Sequence, residues 1–336
     1  MLERGPEDVK RFVSEFRSAF PDLRLIVEEQ IAKGDEVVSR GTIRGTHQGE
    51  FRGMAPTGEE VNIPGMAVFR FSREGKVVES WDSYDQLSLM RQSIEQELRV
   101  ARSIQRASLP REVPALEGWQ ITPFYQPAKE VGGDFYDFFE LEDGRLGVVE
   151  GDATGKGMLA ALVASATSSM LRAVAQDPAY SSGEVLARVN ETLVARIPPN
   201  MFVTCFYAIL DPESATLSYA NAGHDLPYLW HGGDCRELRA RGMPLGLMPE
   251  MGYEEKEVVL ERDDSALFYS DGLVEAHDPK GEMFGFPRLQ ALVAKYGEER
   301  SLGEALLEEL YSFVGDGWEQ EDDITLLTLR RSAPPR

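Results

Sequence analysis

The sequence predicts an α+β chain of two folded parts joined by a helix. A helix with a curved antiparallel sheet is expected over residues 1–85, a helical linker over 86–110, and an α-β-β-α sandwich over 111–331, followed by a short tail, 332–336. Three observations carry this reading. Runs of strand character, separated by turns rich in Gly, Pro and Asp, occur on both sides of the linker. Between them Gln86 to Leu109 contains neither Gly nor Pro. Beyond the linker, strands come in groups, with two helical runs among them and two more near the end. Such segregation suits two antiparallel sheets with helices outside.

In order, Val9, Phe12, Val13, Phe16 and Phe20 fall at helical spacing, and Pro21-Asp22 stops the helix. Leu23 to Gln30, Glu36 to Gly45, Val61 to Phe71 and Lys76 to Tyr84 then alternate as strands. Turns at Lys33-Gly34-Asp35, Pro56-Thr57-Gly58 and Glu74-Gly75-Lys76 separate them. In the linker Leu87, Ile94, Ala101 and Ser108 stand seven apart, as do Met90, Glu97 and Ile104, with Leu98 beside them. This imperfect heptad seam predicts a parallel helical pair, hence a homodimer; the other reading is one amphipathic helix packed on the next domain. A weak seam suits a helix that shifts between two packings.

In the third part Trp119 to Tyr125 and Arg145 to Glu150 read as strands, Gly157 to Gln176 and Ser182 to Ile197 as helices. The Ser181-Ser182-Gly183-Glu184 stretch caps the second helix. MFVTCFYAIL and ATLSYANAG form a hairpin, LPYLW, EKEVVL and ALFYS add strands, and ITLLTLR closes the chain. Pro287 to Lys295 and Leu302 to Val314 are the late helices, and the Pro-containing tail is expected to fray.

At 336 residues the chain exceeds one ordinary core, and 42% hydrophobic with 27% charged residues is the balance of a globular protein. The net charge of -22 disfavours nucleic acid and anionic membranes as partners. It also repels a phosphate substrate unless bound cations reverse the field locally. Only Cys205 and Cys235 are present, so no disulfide framework is expected. No apolar run is read as approaching the roughly 18 residues that span a bilayer, and no charged-then-apolar signal segment is expected at the start. The expected compartment is the cytoplasm.

Four acidic turns at strand ends carry the chemistry. Gly151-Asp152-Ala153-Thr154-Gly155-Lys156-Gly157 follows the apolar Leu146, Val148 and Val149. Ser270-Asp271-Gly272, Glu321-Asp322-Asp323 and Gly132-Gly133-Asp134-Phe135-Tyr136-Asp137 repeat the arrangement. Asp-Gly is a common turn, and one alone would be only a turn. Four in one region, with no clustered Cys or His, point to hard oxygen ligands for Mg²⁺ or Mn²⁺ rather than zinc. A P-loop is excluded: it needs four residues between its glycines and Ser or Thr after Lys, whereas three intervene here and Gly157 follows Lys156.

Two resemblances follow. FRSAFPDLRLIVEEQIAKGDEVVSRGTIRGTHQGEF, then GKVVESWDSYDQLSLMRQ, is similar to the SnoaL-like cone of the nuclear-transport-factor-like superfamily. That implies a cone-shaped α+β barrel around an apolar pocket, a ligand-binding or dimerising module whose first helix is expected to be missing. Some members are cyclases or isomerases, and His47 and Asp85 occupy candidate acid–base positions; an ordinary loop histidine and a helix N-cap are the alternatives.

IQRASLP, EVGGDFYD, GDATGKG, NAGH, GMPLG, YSDGLVEA and EDDITLL occur in the order seen in metal-dependent protein phosphatases of the PPM superfamily. They resemble most closely the SpoIIE-like and RsbU-like bacterial branch, over residues 100–331. The resemblance implies two Mn²⁺ or Mg²⁺ ions and removal of phosphate from Ser or Thr of a small anti-anti-sigma protein. Asp152 matches the bridging ligand, the Ala153 carbonyl its neighbour, Asp271 and Asp322 the second ion's ligands, and Asp134 the acid at the first. Asp323 is the alternative to Asp322, and Asp137 a supporting residue. Lys156 and Lys129 are candidate phosphate contacts, Lys156 also a proton donor through water; a solvated turn lysine is the other reading. His224 is expected to serve structurally, and the Met- and Pro-rich 242–251 loop to fill the core or rim a docking site. The rival readings are a catalytically silent docking protein and a cyclase in the cone.

Overall fold

Why the first part folds as it does is visible in one stripe of aromatic residues. The computed structural model describes residues 5–51, 56–110, 112–299 and 301–332 and divides into two units, Met1–Arg99 and Val100–Arg336. In the first unit α1 (Pro6–Ala19) opens on a proline, whose missing N–H costs a first turn nothing. It buries Phe16, Ala19 and the following Phe20 against Ile43, Phe51, Val61 and Ile63. Phe51 lies between β2 and β3, and the others belong to an antiparallel meander of β1 (Arg24–Lys33), β2 (Glu36–Thr46), β3 (Glu60–Phe71) and β4 (Val77–Tyr84). The sheet is open and ends at β1 and β4 rather than closing into a barrel. The sheet leaves a groove of about 210 Å³ lined by residues that include Leu25, Val27, Ser39, Ala67, Phe69 and Tyr84.

His47 is not part of that lining. It is buried, stacked on Phe20 at 5.0 Å between centroids, with Nδ1 3.3 Å from the Thr57 hydroxyl. Burial lowers its pKa. Asp85 is exposed and directly precedes α2 (Gln86–Ser108). The titratable residues lining the groove are instead Arg40 and Tyr84; Asp82, outside the lining, stands opposite Ala67, and burial raises its pKa. Of the heptad seam, Leu87, Met90 and Ile94 have side chains outside the described residues. Glu97 and Ile104 are exposed, and the buried position in the last turns is Gln105.

The second unit is a sandwich of two five-stranded antiparallel sheets. One has the order β11 (Asp234–Glu237), β10 (Tyr228–His231), β13 (Ser265–Tyr269), β14 (Ile324–Arg331), β5 (Trp119–Gln126). The other runs β12 (Glu255–Val259), β9 (Thr216–Ala222), β8 (Val203–Asp211), β7 (Leu146–Ala153), β6 (Asp134–Glu140). Strand alternation sorts the side chains. Phe138, Val148, Phe206 and Leu217 meet Leu229, Phe268 and Leu327 between the sheets. Phe135, Phe139, Val149 and Tyr207 face the other way, onto α3 (Met158–Ala175) and α4 (Ser182–Val194). α6 (Phe286–Tyr296) and α7 (Leu302–Val314) cover the first sheet. Both faces of the inner strands β7, β8, β13 and β14 are thus buried, which is why the sequence reads apolar along them.

The Ser181 cap forms as expected: its hydroxyl accepts from Glu184 N–H, and its N–H donates to Glu184 Oε2 at 2.9 Å. Three features differ from the sequence reading. The segment around Asp134 and Asp137 is strand β6 rather than a turn, and the β10–β11 hairpin and the one-turn α5 (Asp271–Val274) were not anticipated. α3 also corrects the expectation about apolar runs: its 18 residues have a mean hydropathy of 1.5, enough by length and composition to cross a membrane. Ala160, Val163, Ala164 and Leu171 on it pack into the core against α4 and the sheet, so its apolarity has a core explanation.

Asp137 lies on the α3-facing side of β6. Its carboxylate, 2% exposed, accepts from both Nε and Nη2 of Arg172 on α3. Asp137→Ala is expected to lower stability by about 1–2 kcal/mol, the range for a hydrogen bond to a charged group discounted because Arg172 is half exposed. Urea unfolding should show a lower midpoint at unchanged slope; an unmoved midpoint would remove Asp137 from the helix-to-sheet contact.

Candidate metal centre

Asp134 and Asp152 stand directly opposite each other in the β6–β7 ladder, so they share the face turned toward the other sheet. From that other sheet, β13 ends just before Asp271, which opens α5, and Asp322-Asp323 lead into β14. Close backbone approach makes the meeting possible. A Cβ on Gly272 would lie 2.0 Å from the Asp323 carbonyl oxygen, and one on Gly133 2.7 Å from both Asp152 Oδ1 and the Ala153 carbonyl. Only glycine fits either place.

The result is a cleft of about 310 Å³ whose lining includes Asp152, Lys156, His224, Asp225, Asp271 and Asp322. Burial, then the Asp271 and Asp322 carboxylates, push Asp152 up to about 7. Burial and Asp322 raise Asp271 to about 6. Asp134 lies behind the cleft, 2% exposed, and accepts from the Thr325 hydroxyl at 2.6 Å. Burial, followed by Asp152 and Asp323, lifts its pKa well above the usual carboxylate range. Acids that repel one another in a partly desolvated site favour a cation among them. The Lys156 ammonium supplies one positive charge, 2.7 Å from Asp322 Oδ2 and 2.8 Å from the Glu321 carbonyl. Carboxylate oxygens are the hard donors that suit Mg²⁺ or Mn²⁺, but among the described residues no group of three or more His, Cys, Asp or Glu is arranged to hold a metal ion.

Asp152, Asp271, Asp322 and Lys156 therefore meet in one cleft, whereas Ala153 is buried outside its lining, its carbonyl beside Gly133. Asp323 faces elsewhere: Oδ1 accepts from Ala128 N–H at 2.8 Å and Oδ2 from Gly133 N–H at 2.6 Å. Its carboxylate ties the segment before β6 to the start of β14. Lys129 is exposed and outside the lining. His224 lines the cleft and is held by its neighbours, Nδ1 2.9 Å from the Thr204 hydroxyl and N–H donating to Asn221 Oδ1. In the 242–251 loop Leu245 pairs with Val203 and is buried, whereas Met243, Leu247 and Met248 are exposed.

Sequence reasoning missed two acids. Asp225 lines the cleft, raised to about 6 by burial and then by Asp271 and Glu275. Glu150 is fully buried, among the described residues without a hydrogen-bond partner on either carboxylate oxygen, and 3.9 Å from His224 Nε2. The one available sign was an acid in an otherwise apolar strand, two residues before Asp152 and so on the same face.

Residues 142–332 match the family described as Stage II sporulation protein E, and residues 1–93 match the SnoaL-like polyketide cyclase family. Protein IcfG of Synechocystis sp. is 30% identical over 264 residues, 70% of this chain and 42% of IcfG, so the chain spans less than half of that relative. Phosphoserine phosphatase RsbU of Bacillus subtilis is 27% identical over 256 residues, 75% of each chain. Among solved structures, the RsbU and RsbW domains of Rv1364c from Mycobacterium tuberculosis share 29% identity at TM-score 0.58, covering 68% of this chain and 64% of that one. The SiaA-PP2C domain of Pseudomonas aeruginosa shares the fold at TM-score 0.63 and 24% identity, covering 72% of this chain and 98% of that domain. The family match extends over more than half of the residues and contains the ends of β7, β13 and the start of β14, so the chain belongs to the SpoIIE family of PPM-type serine phosphatases and carries a SnoaL-like domain toward its N-terminus.

Proposed function

We propose that the chain removes phosphate from serine or threonine of a small regulatory protein of the anti-anti-sigma type, using two divalent cations, Mn²⁺ or Mg²⁺. Asp134, Asp152, the Ala153 carbonyl, Asp271 and Asp322 would hold them. The observation that carries this reading is the arrival of Asp152, Asp271 and Asp322 in one cleft from separate strand ends. Cations held there supply an activated water and a counter-charge for the phosphoryl oxygens.

This chain's own residues do the rest. Thr325 fixes Asp134 through its hydroxyl, Gly133 lets the Ala153 carbonyl and Asp152 approach, and Lys156 holds Asp322 toward the cleft. Asp323 is spent on backbone N–H groups, which favours Asp322 as the ligand. Because the cleft is acidic and the protein carries a charge of -22, a phosphoprotein approaches only when that local field has been reversed. The exposed Met243, Leu247 and Met248 suit an adaptable docking rim.

The organisation proposed is a sensing module at 1–85, a dimerising helix at 86–110 and a phosphatase domain at 111–331, working in the cytoplasm. A small molecule in the groove beside Tyr84 would bias α2 and, through it, the metal centre. A cyclase reading draws no support from His47, which is packed beneath α1 rather than against the groove.

Hydrolysis of an aryl phosphate by the full chain in Mn²⁺ is expected to fall in Asp152→Asn and Asp271→Asn by more than about 100-fold, beyond what loss of an outer partner costs. No hydrolysis by the parent chain would leave only a silent docking protein, and full activity in both variants would remove Asp152 and Asp271 from the reaction. Asp322→Asn should abolish activity without lowering the melting temperature, whereas Asp323→Asn should lower the melting temperature. The reverse pattern would exchange their roles.

A further inference from the structure

The last turns of α2 are exposed at Val100 (56%) and Ile104 (67%), yet Gln105 between them and the helix end is 7% exposed. Its amide is used at both ends: Nε2 donates to the Gly132 carbonyl at 2.7 Å, and Oε1 accepts the Gly132 N–H at 3.2 Å. One turn earlier, Arg102 Nη1 reaches Glu130 Oε2 at 3.0 Å. Gly132 has no space for a side chain, since a Cβ would lie 2.3 Å from Asp323 Oδ2 and 2.6 Å from the Tyr125 hydroxyl. The next residue, Gly133, gives its N–H to Asp323 and abuts Asp152 Oδ1 and the Ala153 carbonyl. The segment from Ala128 to Asp134 is therefore gripped from one side by Asp323 and from the other by α2.

We infer that Gln105 is a positioning residue of the acidic cleft: its amide fixes the backbone at Gly132, which sets where Gly133, Asp134 and the Ala153 carbonyl stand. This rests on the phosphatase reading above and adds to it the point at which α2 acts. A buried amide paired with both polar groups of one residue has a single satisfactory geometry, and losing it strands two buried backbone groups. Turning α2 by one residue, about 100°, carries Gln105 out of reach. α2 itself runs from Gln86 through Gln105 to Ser108.

The test uses Gln105→Met in the full chain, which keeps side-chain volume and removes both bonds. In metal-free protein, hydrogen exchange at the Gly132 amide is expected to speed up by tenfold or more while exchange in β7 and β13 is unchanged. The Mn²⁺ concentration giving half-maximal aryl phosphatase activity should rise about 10–100-fold, the cost typical of an outer partner, with activity recovered at saturating Mn²⁺. Arg102→Ala, which breaks a half-exposed pair, should move it less than threefold. If Gln105→Met does not fold, Gln105→Asn, one methylene too short to reach both groups, reads the same shifts. Unchanged Gly132 exchange, or loss of activity that no Mn²⁺ concentration restores, overturns the inference. If Asp152→Asn is as active as the parent chain, the phosphatase reading itself fails. If Asp152→Asn is inactive and Gln105→Met has the parent's Mn²⁺ dependence, only the role of Gln105 fails.

Discussion

Mutual repulsion among buried carboxylates is the constraint on which the second unit depends. Asp134, Asp152 and Asp271 are all shifted upward, first by burial and then by one another or by Asp322 and Asp323. A fold that assembles such a cluster forgoes stability unless positive charge offsets it. Among the described residues, the one lysine or arginine lining the cleft is Lys156, paired with Asp322. The sandwich tolerates the cluster because its two sheets bury continuous apolar layers on both faces, so the edge where the acids meet is a small part of a large core.

Much of this was legible in the chain. Alternation and turn residues located most of the strands, and the Ser181 cap and long apolar runs located α3 and α4. Strand ends beside glycine singled out Asp152 and Asp271, and an acidic run before the last strand singled out Asp322; the three line one cleft. What could not be read was direction. Asp134 looked like a turn residue because Gly132-Gly133 precedes it, yet those glycines serve close approach and β6 begins at once. Asp322 and Asp323 are adjacent, and only the donors around Asp323 tell them apart. Glu150 and Asp225 escaped notice because their importance is purely spatial, one facing inward along β7, the other following His224 into the cleft. His47 misled for the same reason: a turn histidine by sequence stacks on Phe20 in the core.

The segment between β5 and β6 ties these strands together. It is short, polar and without regular structure, but Asp323 and Gln105 hold it from opposite sides. Its placement depends on interactions far apart in sequence, so sequence periodicity carries no trace of it. Such a connection is also the economical place to alter a cleft without disturbing the sheets, because a few hydrogen bonds there fix several backbone positions at once.

The central claim is that these acids are gathered to hold cations. Calorimetric titration of metal-free full-length chain with Mn²⁺ tests it most directly. About two ions per chain are expected, with a rise in melting temperature corresponding to roughly 3 kcal/mol at a hundredfold excess over Kd, and Asp152→Asn should lose both the binding and the rise. Absence of Mn²⁺ and Mg²⁺ binding in the parent chain, or binding left unchanged when Asp152 and Asp271 are both replaced by Asn, would contradict it.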